Sequence, residues 1–250
     1  GIKDKGLFIY YGDDTLIEET VKNTQIKKSI RKQTFGLNKN NTIWLKEFKQ
    51  DLEGITIKVS DERFDELHID ILGKHQALNA MAAILAALEL GMNPEEIKSG
   101  LLRIEKTGLR NEVININKCN ILNDCYKSNP VSIKAALDIF ELFNSKKKIA
   151  VLGDMLGYRE MSHDVHYKVG RDLSRHHIDE LVTIGQEAKF IAKAARENTT
   201  IKTIVEFDTK EEAALYLKKY IKEDCTILIK GSRFLKLEYI ANKLKEWENE

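Results

Sequence analysis

The chain has 250 residues, 42% of them hydrophobic and 32% charged, and its 40 Lys and Arg against 39 Asp and Glu give a formal net charge of +1. That balance excludes a general attraction to nucleic acid or an anionic membrane, so any bound anion has to be held by a local arrangement of side chains. The longest uncharged apolar run, Ala77 to Leu88, contains Asn79 and falls short of the ~20 residues a bilayer-spanning helix needs, so it reads as a buried helix.

In chain order, Leu7 to Tyr11 is a strand closed by Gly12-Asp13-Asp14, followed by β-like runs at Ile26 to Thr34, Thr42 to Phe48 and Ile55 to Val59. Two helices are predicted next, Gln76 to Leu90 and Pro94 to Ile104, the second with Asn93 as N-cap and Pro94 in its first position. Nothing before Leu7 supplies a starting element, so this region reads as the end of a domain. The boundary is placed at Thr107-Gly108. From Cys119 onward, strands alternate with helices: Cys119 to Leu122, Val131 to Phe143, Lys148 to Leu152, Asp164 to Arg175, Leu181 to Ile184 and Glu187 to Arg196. The alternation continues through Thr203 to Phe207, Lys210 to Ile221, Thr226 to Ile229 and Phe234 to Trp247. This order predicts a Rossmann-like α/β domain, a doubly wound parallel sheet with helices on both faces.

Ligands of such sheets collect at the carboxyl ends of the strands, where Asp124, Gly153-Asp154, Gly185 and Lys230-Gly231-Ser232-Arg233 fall. Asp124 suits a ribose diol, Asn129-Pro130 opens a helix that could face an anion, and Lys127 adds a positive charge. Lys230, Ser232 and Arg233 could receive a carboxylate. In the first region His75 and Asn79, four apart, share a helix face. Asn79 in an apolar helix needs hydrogen-bond partners, which a purine edge or a backbone group of its own fold would supply equally well. Arg110 at the boundary suits a phosphate, with an interdomain salt bridge as the blander reading. His163 and His166, three apart behind Ser162 as N-cap, lack a third ligand nearby and read as solvent-facing, so no metal site is assigned. Cys119, Cys125 and Cys225 lack metal-type spacing and no leader segment opens the chain, which points to a reducing, cytoplasmic setting. No Gly-x-x-x-x-Gly-Lys-Ser/Thr phosphate loop occurs in the 250 residues.

Taken together, GKHQALNA at 73–80, TGLRNEV at 107–113, NDCYKSNP at 123–130, AVLGDML at 150–156, SHDVHYKVG at 162–170 and KGSR at 230–233 resemble the Mur ligases. The resemblance is strongest to members that add D-alanyl-D-alanine to UDP-N-acetylmuramoyl-tripeptide in peptidoglycan precursor synthesis. It implies that residues 1–107 are the C-terminal portion of a P-loop-type central ATPase domain and residues 108–250 the C-terminal domain that receives the amine. The phosphate loop, the residues that hold Mg2+ and a carbamylated lysine would then lie upstream of Gly1, with no catalytic residue in this chain. By the same resemblance His75, Asn79, Arg110 and Asp124 contact ATP, while Tyr126, Lys127, Asn129, Ser232 and Arg233 lie near the incoming dipeptide. A monomer without nucleic-acid or membrane partners is expected. Departures from the family pattern at Gln76, at Lys127-Ser128 and at Gly157-Tyr158-Arg159 leave room for a different amine, and a non-catalytic Rossmann-like binding module is the further alternative.

Overall fold

The computed structural model describes residues 2–24, 29–105 and 108–249. The chain divides into two compact units, Gly1–Glu105 and Lys106–Glu250. Thr107, one half of the expected boundary, lies outside the described residues, as does the start of the expected run from Ile26.

In the first unit, strands β1 (Leu7–Tyr11), β2 (Arg31–Gly36), β3 (Ile43–Gln50), β4 (Ile55–Val59) and β5 (Glu66–Ile69) form one sheet in that order. The pairs β1/β2 and β2/β3 are parallel; β3/β4 and β4/β5 are antiparallel. Helix α1 (Thr15–Asn23), capped by Asp14, links β1 to β2. Alternation in β4 turns Ile55, Ile57 and Val59 into the core, the period expected of a half-covered strand. Helix α2 (Lys74–Glu89) meets that face with Ala77, Ala80, Met81, Ile84 and Leu85, the i, i+3, i+4 spacing of one helical stripe. Helix α3 (Pro94–Leu102) begins at a capping box in which Asn93 and Glu96 satisfy each other's backbone N–H groups. The expected cap is therefore present, while α1 and β5 were not anticipated from the sequence.

The second unit holds strands β6 (Glu112–Ile116), β7 (Cys119–Asn123), β8 (Lys147–Gly153), β9 (Glu180–Ile184), β10 (Thr203–Phe207) and β11 (Cys225–Lys230). Their spatial order is β10-β9-β8-β11-β7-β6. Five of them are parallel, but β6 runs antiparallel to β7, so the sheet is mixed rather than wholly parallel. Only two residues, Asn117 and Lys118, separate β6 from β7, too few for a parallel crossover and enough for a hairpin. Helices α4 (Pro130–Phe140), α5 (Ser162–Asp172), α6 (Ala188–Asn198), α7 (Lys210–Leu217) and α8 (Glu238–Glu246) follow β7, β8, β9, β10 and β11. Ala213, Ala214 and Leu217 of α7 and Ile240, Ala241 and Leu244 of α8 pack with Ile149, Val151, Val182, Ile227 and Ile229 on one face of the sheet. The alternate residues Ala150, Leu152, Leu181 and Leu228 are buried on the other face.

Strand β11 is the topological pivot. The chain passes from β7 to β8 over the position β11 will occupy, moves outward through β9 and β10, and returns to fill the gap. Its flanking strands β7 and β8 therefore lead into helices connected differently from its own, the arrangement that opens a crevice at the strands' carboxyl ends.

Candidate functional site

The crevice at the end of β11 is built from three segments that follow β7, β8 and β11. Asp124 stands one residue beyond β7, at the strand end where the sequence pattern put it. Its backbone N–H donates to Ile229 O at 2.9 Å, and its Oδ2 lies 2.5 Å from Lys230 Nζ. Lys230 is 1% exposed and also donates to Lys127 O at 2.9 Å. This corrects the expectation that Lys230 is a free cation for a ligand: its ammonium is consumed inside the fold, tying the segment after β7 to the end of β11. A buried ammonium has to be paired in this way.

Asp124 and Arg110 are brought together by a fold of the backbone. Leu109 and Asn111 both take left-handed conformations, φ 65° and 48°. Tyr126 N–H donates to Leu109 O at 3.1 Å, and Asn111 N–H approaches Asp124 Oδ1 at 3.4 Å. Arg110, exposed, stacks its guanidinium 4.2 Å from the centroid of the Tyr126 ring. Glu112 Oε2 accepts from Asn123 Nδ2 at 2.9 Å and from Leu109 N–H at 3.3 Å, fixing the base of this turn. Nothing in the sequence pattern singled out Glu112.

Asn129 starts α4 as anticipated: its Oδ1 accepts from Ser132 N–H at 2.8 Å and Ser132 Oγ from its own N–H at 3.0 Å. Lys127 is exposed beside it, and Ser128 is 4% exposed with an Oγ that meets no partner among the described residues. On the other side of β11, Ser232 N–H donates to Asp154 O at 3.1 Å, and Ser232 Oγ accepts from Leu156 N–H at 2.9 Å. Arg233 is exposed and forms an ion pair with Glu238, a bond that raises its pKa further. A Cβ on Gly153 would lie 2.7 Å from Leu235 Cδ1 and one on Gly231 2.6 Å from Leu237 Cδ1, so a side chain at either place would push a leucine aside. Asp154 bonds the first N–H of α6, with Ala188 N 2.7 Å from its Oδ1. Burial raises its carboxyl pKa, opposed by that bond.

Three further expectations change. Asn79 is exposed and donates to Gln76 Oε1 at 2.9 Å, so the cost of burying its amide does not arise; the apolar run around it covers only one side of α2. His75 is also exposed, with its ring folded toward Gly73, whose φ of 109° starts the helix. These two residues belong to the first unit, whereas Arg110, Asp124, Tyr126, Lys127, Asn129, Ser232 and Arg233 belong to the second. Ser162 is the first residue of α5 rather than its cap, and a 3-10 turn at Arg159–Met161 precedes it. His163 is half exposed, but His166 is fully buried with both ring nitrogens engaged, so the pair does not face solvent together.

The donor set suits the ribose and phosphate edge of a nucleotide: a partly buried carboxylate on Asp124, held in place by Lys230, beside an exposed guanidinium on Arg110. Among the described residues no group of three or more His, Cys, Asp and Glu side chains could hold a metal ion. No helix among the described residues is long and apolar enough to cross a membrane.

Comparison with known proteins places this geometry in a family. The model of the Mur ligase middle domain matches residues 1–87, and that of the Mur ligase glutamate ligase domain matches residues 109–233. The UDP-N-acetylmuramoyl-tripeptide--D-alanyl-D-alanine ligase of Bacillus subtilis is 34% identical over 250 residues, covering 98% of this chain and 52% of the relative. The ligase of the same name from Borreliella burgdorferi is 33% identical over 178 residues, 71% of this chain and 38% of its own. A crystal structure of MurF from Acinetobacter baumannii matches 98% of the chain and 53% of its own with a TM-score of 0.83 at 25% identity. MurF ligase from Thermotoga maritima in complex with ADP shares the fold, with a TM-score of 0.80 at 19% identity over 98% of this chain and 54% of its own. The chain spans about half the length of both of these structures and of the Bacillus relative.

Proposed function

Because the chain belongs to the Mur ligase family, we propose that it forms the nucleotide-closing and amine-receiving part of an ATP-dependent ligase that joins D-alanyl-D-alanine to UDP-N-acetylmuramoyl-tripeptide. Residues 1–107 are then the end of the central ATPase domain and residues 108–250 the amine-binding domain, acting in the cytoplasm as a monomer. In this reaction ATP transfers its terminal phosphoryl group to the tripeptide carboxylate, and the dipeptide amine attacks the acyl phosphate, forming the amide and releasing phosphate. Mg2+ would neutralise phosphate charge in that step.

The observation that carries this reading is the Lys230 tie, which holds Asp124 and the Lys127 backbone at the end of β11. Asp124, held by it, would accept from the ribose hydroxyls. Arg110, braced on Tyr126, would meet a nucleotide phosphate. The Ser232 hydroxyl and the Arg233 guanidinium would take the dipeptide carboxylate, and Lys127, Asn129 and Tyr126 would line its path. Each role is a matter of binding and orientation: the groups hold two substrates in register and exclude water from a hydrolysable intermediate.

The test is an assay of the full-length protein with ATP, UDP-N-acetylmuramoyl-tripeptide and D-alanyl-D-alanine. Amide product and phosphate in equal amounts are expected, and ATP consumption without amide would refute the reading. A second reading, a different amine, draws on exposed Lys127, which adds a cation at the crevice. A dipeptide carrying an additional side-chain carboxylate, such as D-alanyl-D-glutamate, would then be used with a higher kcat/KM than D-alanyl-D-alanine.

A further inference from the structure

His166 takes no part in the binding roles above, yet it is a fully buried imidazole on α5 with both nitrogens in use. Nε2 lies 2.8 Å from Met155 N and Nδ1 lies 2.7 Å from Ser162 O. An amide N–H only donates and a carbonyl only accepts, so the ring is neutral, with its proton on Nδ1 and its lone pair on Nε2.

The residue that Nε2 holds belongs to an irregular loop. Between the end of β8 at Gly153 and the 3-10 turn at Arg159, the chain has no regular structure, and Gly157 and Arg159 both have positive φ, 97° and 47°. Ties from outside the loop therefore set its path. One is the His166 bond to Met155. The next residue, Leu156, donates its N–H to Ser232 Oγ at 2.9 Å, and the preceding one, Asp154, accepts from Ser232 N–H at 3.1 Å. A hydroxyl has one hydrogen to donate and two lone pairs. With one lone pair taken by Leu156, and with no described residue accepting from the Ser232 hydroxyl, its hydrogen is left for a ligand.

We propose that His166 is a positioning residue that, through the Met155–Leu156 backbone, fixes Ser232 so that its hydroxyl donates to a carboxylate oxygen of the incoming amine substrate. The inference rests on the ligase reading for the identity of that substrate, but not for the tie itself. It makes α5 part of the amine site although no side chain of α5 reaches the crevice in the roles assigned above.

The experiment compares His166→Gln with His166→Asn in the full-length protein. The Gln amide reaches the position of Nε2 and can still accept from Met155 N–H; the Asn amide reaches only the position of Nδ1. His166→Asn is expected to raise the KM for D-alanyl-D-alanine about tenfold while the KM for ATP stays within about twofold, the pattern of lost substrate binding rather than lost chemistry. His166→Gln is expected to restore most of the loss. Amide hydrogen exchange at Met155 and Leu156 should quicken in the Asn variant and stay slow in the Gln variant. Equal behaviour of the two variants, a joint rise in both KM values, or failure of both to fold overturns the proposal by making His166 a core residue alone. If the wild-type protein does not use D-alanyl-D-alanine, the functional reading fails, and the exchange comparison by itself then decides whether His166 holds the loop.

Discussion

Lys230 and Asp124 show how a residue's chemistry is settled by what surrounds it. An ammonium that is 1% exposed and a carboxylate beside it form a pair whose loss on one side leaves a buried charge without compensation. Asp124→Ala should therefore lower the unfolding free energy by about 3 kcal/mol, measured by urea denaturation followed at Trp247 in the second unit. The same variant should weaken ATP use in the full-length protein. Asp124→Asn, which keeps an oxygen for Lys230, should lose less stability, so comparing the two separates the structural part from the nucleotide part. Sequence reading singled out Asp124, Ser232 and Asn129 as candidates because polar residues at strand ends and before Pro are local signals. It misjudged Lys230, His166 and Asn79 because their surroundings come from other segments: a carboxylate 106 residues away, a loop amide, and an α2 stripe that covers only one side.

Element boundaries were legible where a single segment carries its own signal. Asn93-Pro94 and Asn129-Pro130 announce their helices, and the capping boxes there need only Glu96 and Ser132 three residues on. Replacing Asn129 by Ala should cost about 1 kcal/mol of stability, read from the urea midpoint at unchanged m-value. The hairpin strand β6 was not legible, because Glu112 to Ile116 becomes a strand through its register with β7 rather than through an apolar run. At the opposite ends of the strands from the crevice, Glu180 is 1% exposed, with Tyr220 Oη at 2.7 Å and Lys147 Nζ at 3.0 Å. Burial pushes its carboxyl pKa up, but the bonds from Tyr220 and Lys147 outweigh it and hold the group below its ordinary value of 4.5. A depressed carboxyl pKa gives stability that is present above the unfolded value and is lost as pH falls through the folded one. Urea unfolding at a series of pH values should therefore show stability declining as the medium is acidified below about 4.5, and Glu180→Gln should flatten that decline.

At the scale of the whole molecule, each unit has a core of its own, one around β3, β4, α2 and α3, the other around β7, β8, β9 and β11. The alternation of strand and helix made the second unit legible almost throughout. The first unit was harder, because β5 and α1 are short and polar enough to pass for loop. With no phosphate loop in the 250 residues, the isolated chain should consume no ATP and form no amide from UDP-N-acetylmuramoyl-tripeptide and D-alanyl-D-alanine. A coupled phosphate-release assay checks this, and turnover above background would contradict it.

The position of β11 also bears on how the molecule is made. It is the last of the six strands in chain order and yet lies between β7 and β8. During synthesis those two strands wait more than seventy residues for the partner that joins them, exposing apolar edges that can pair wrongly. The sheet can close only after Lys230 has been translated, so the tie between Lys230 and Asp124 forms no earlier than the last strand of the sheet.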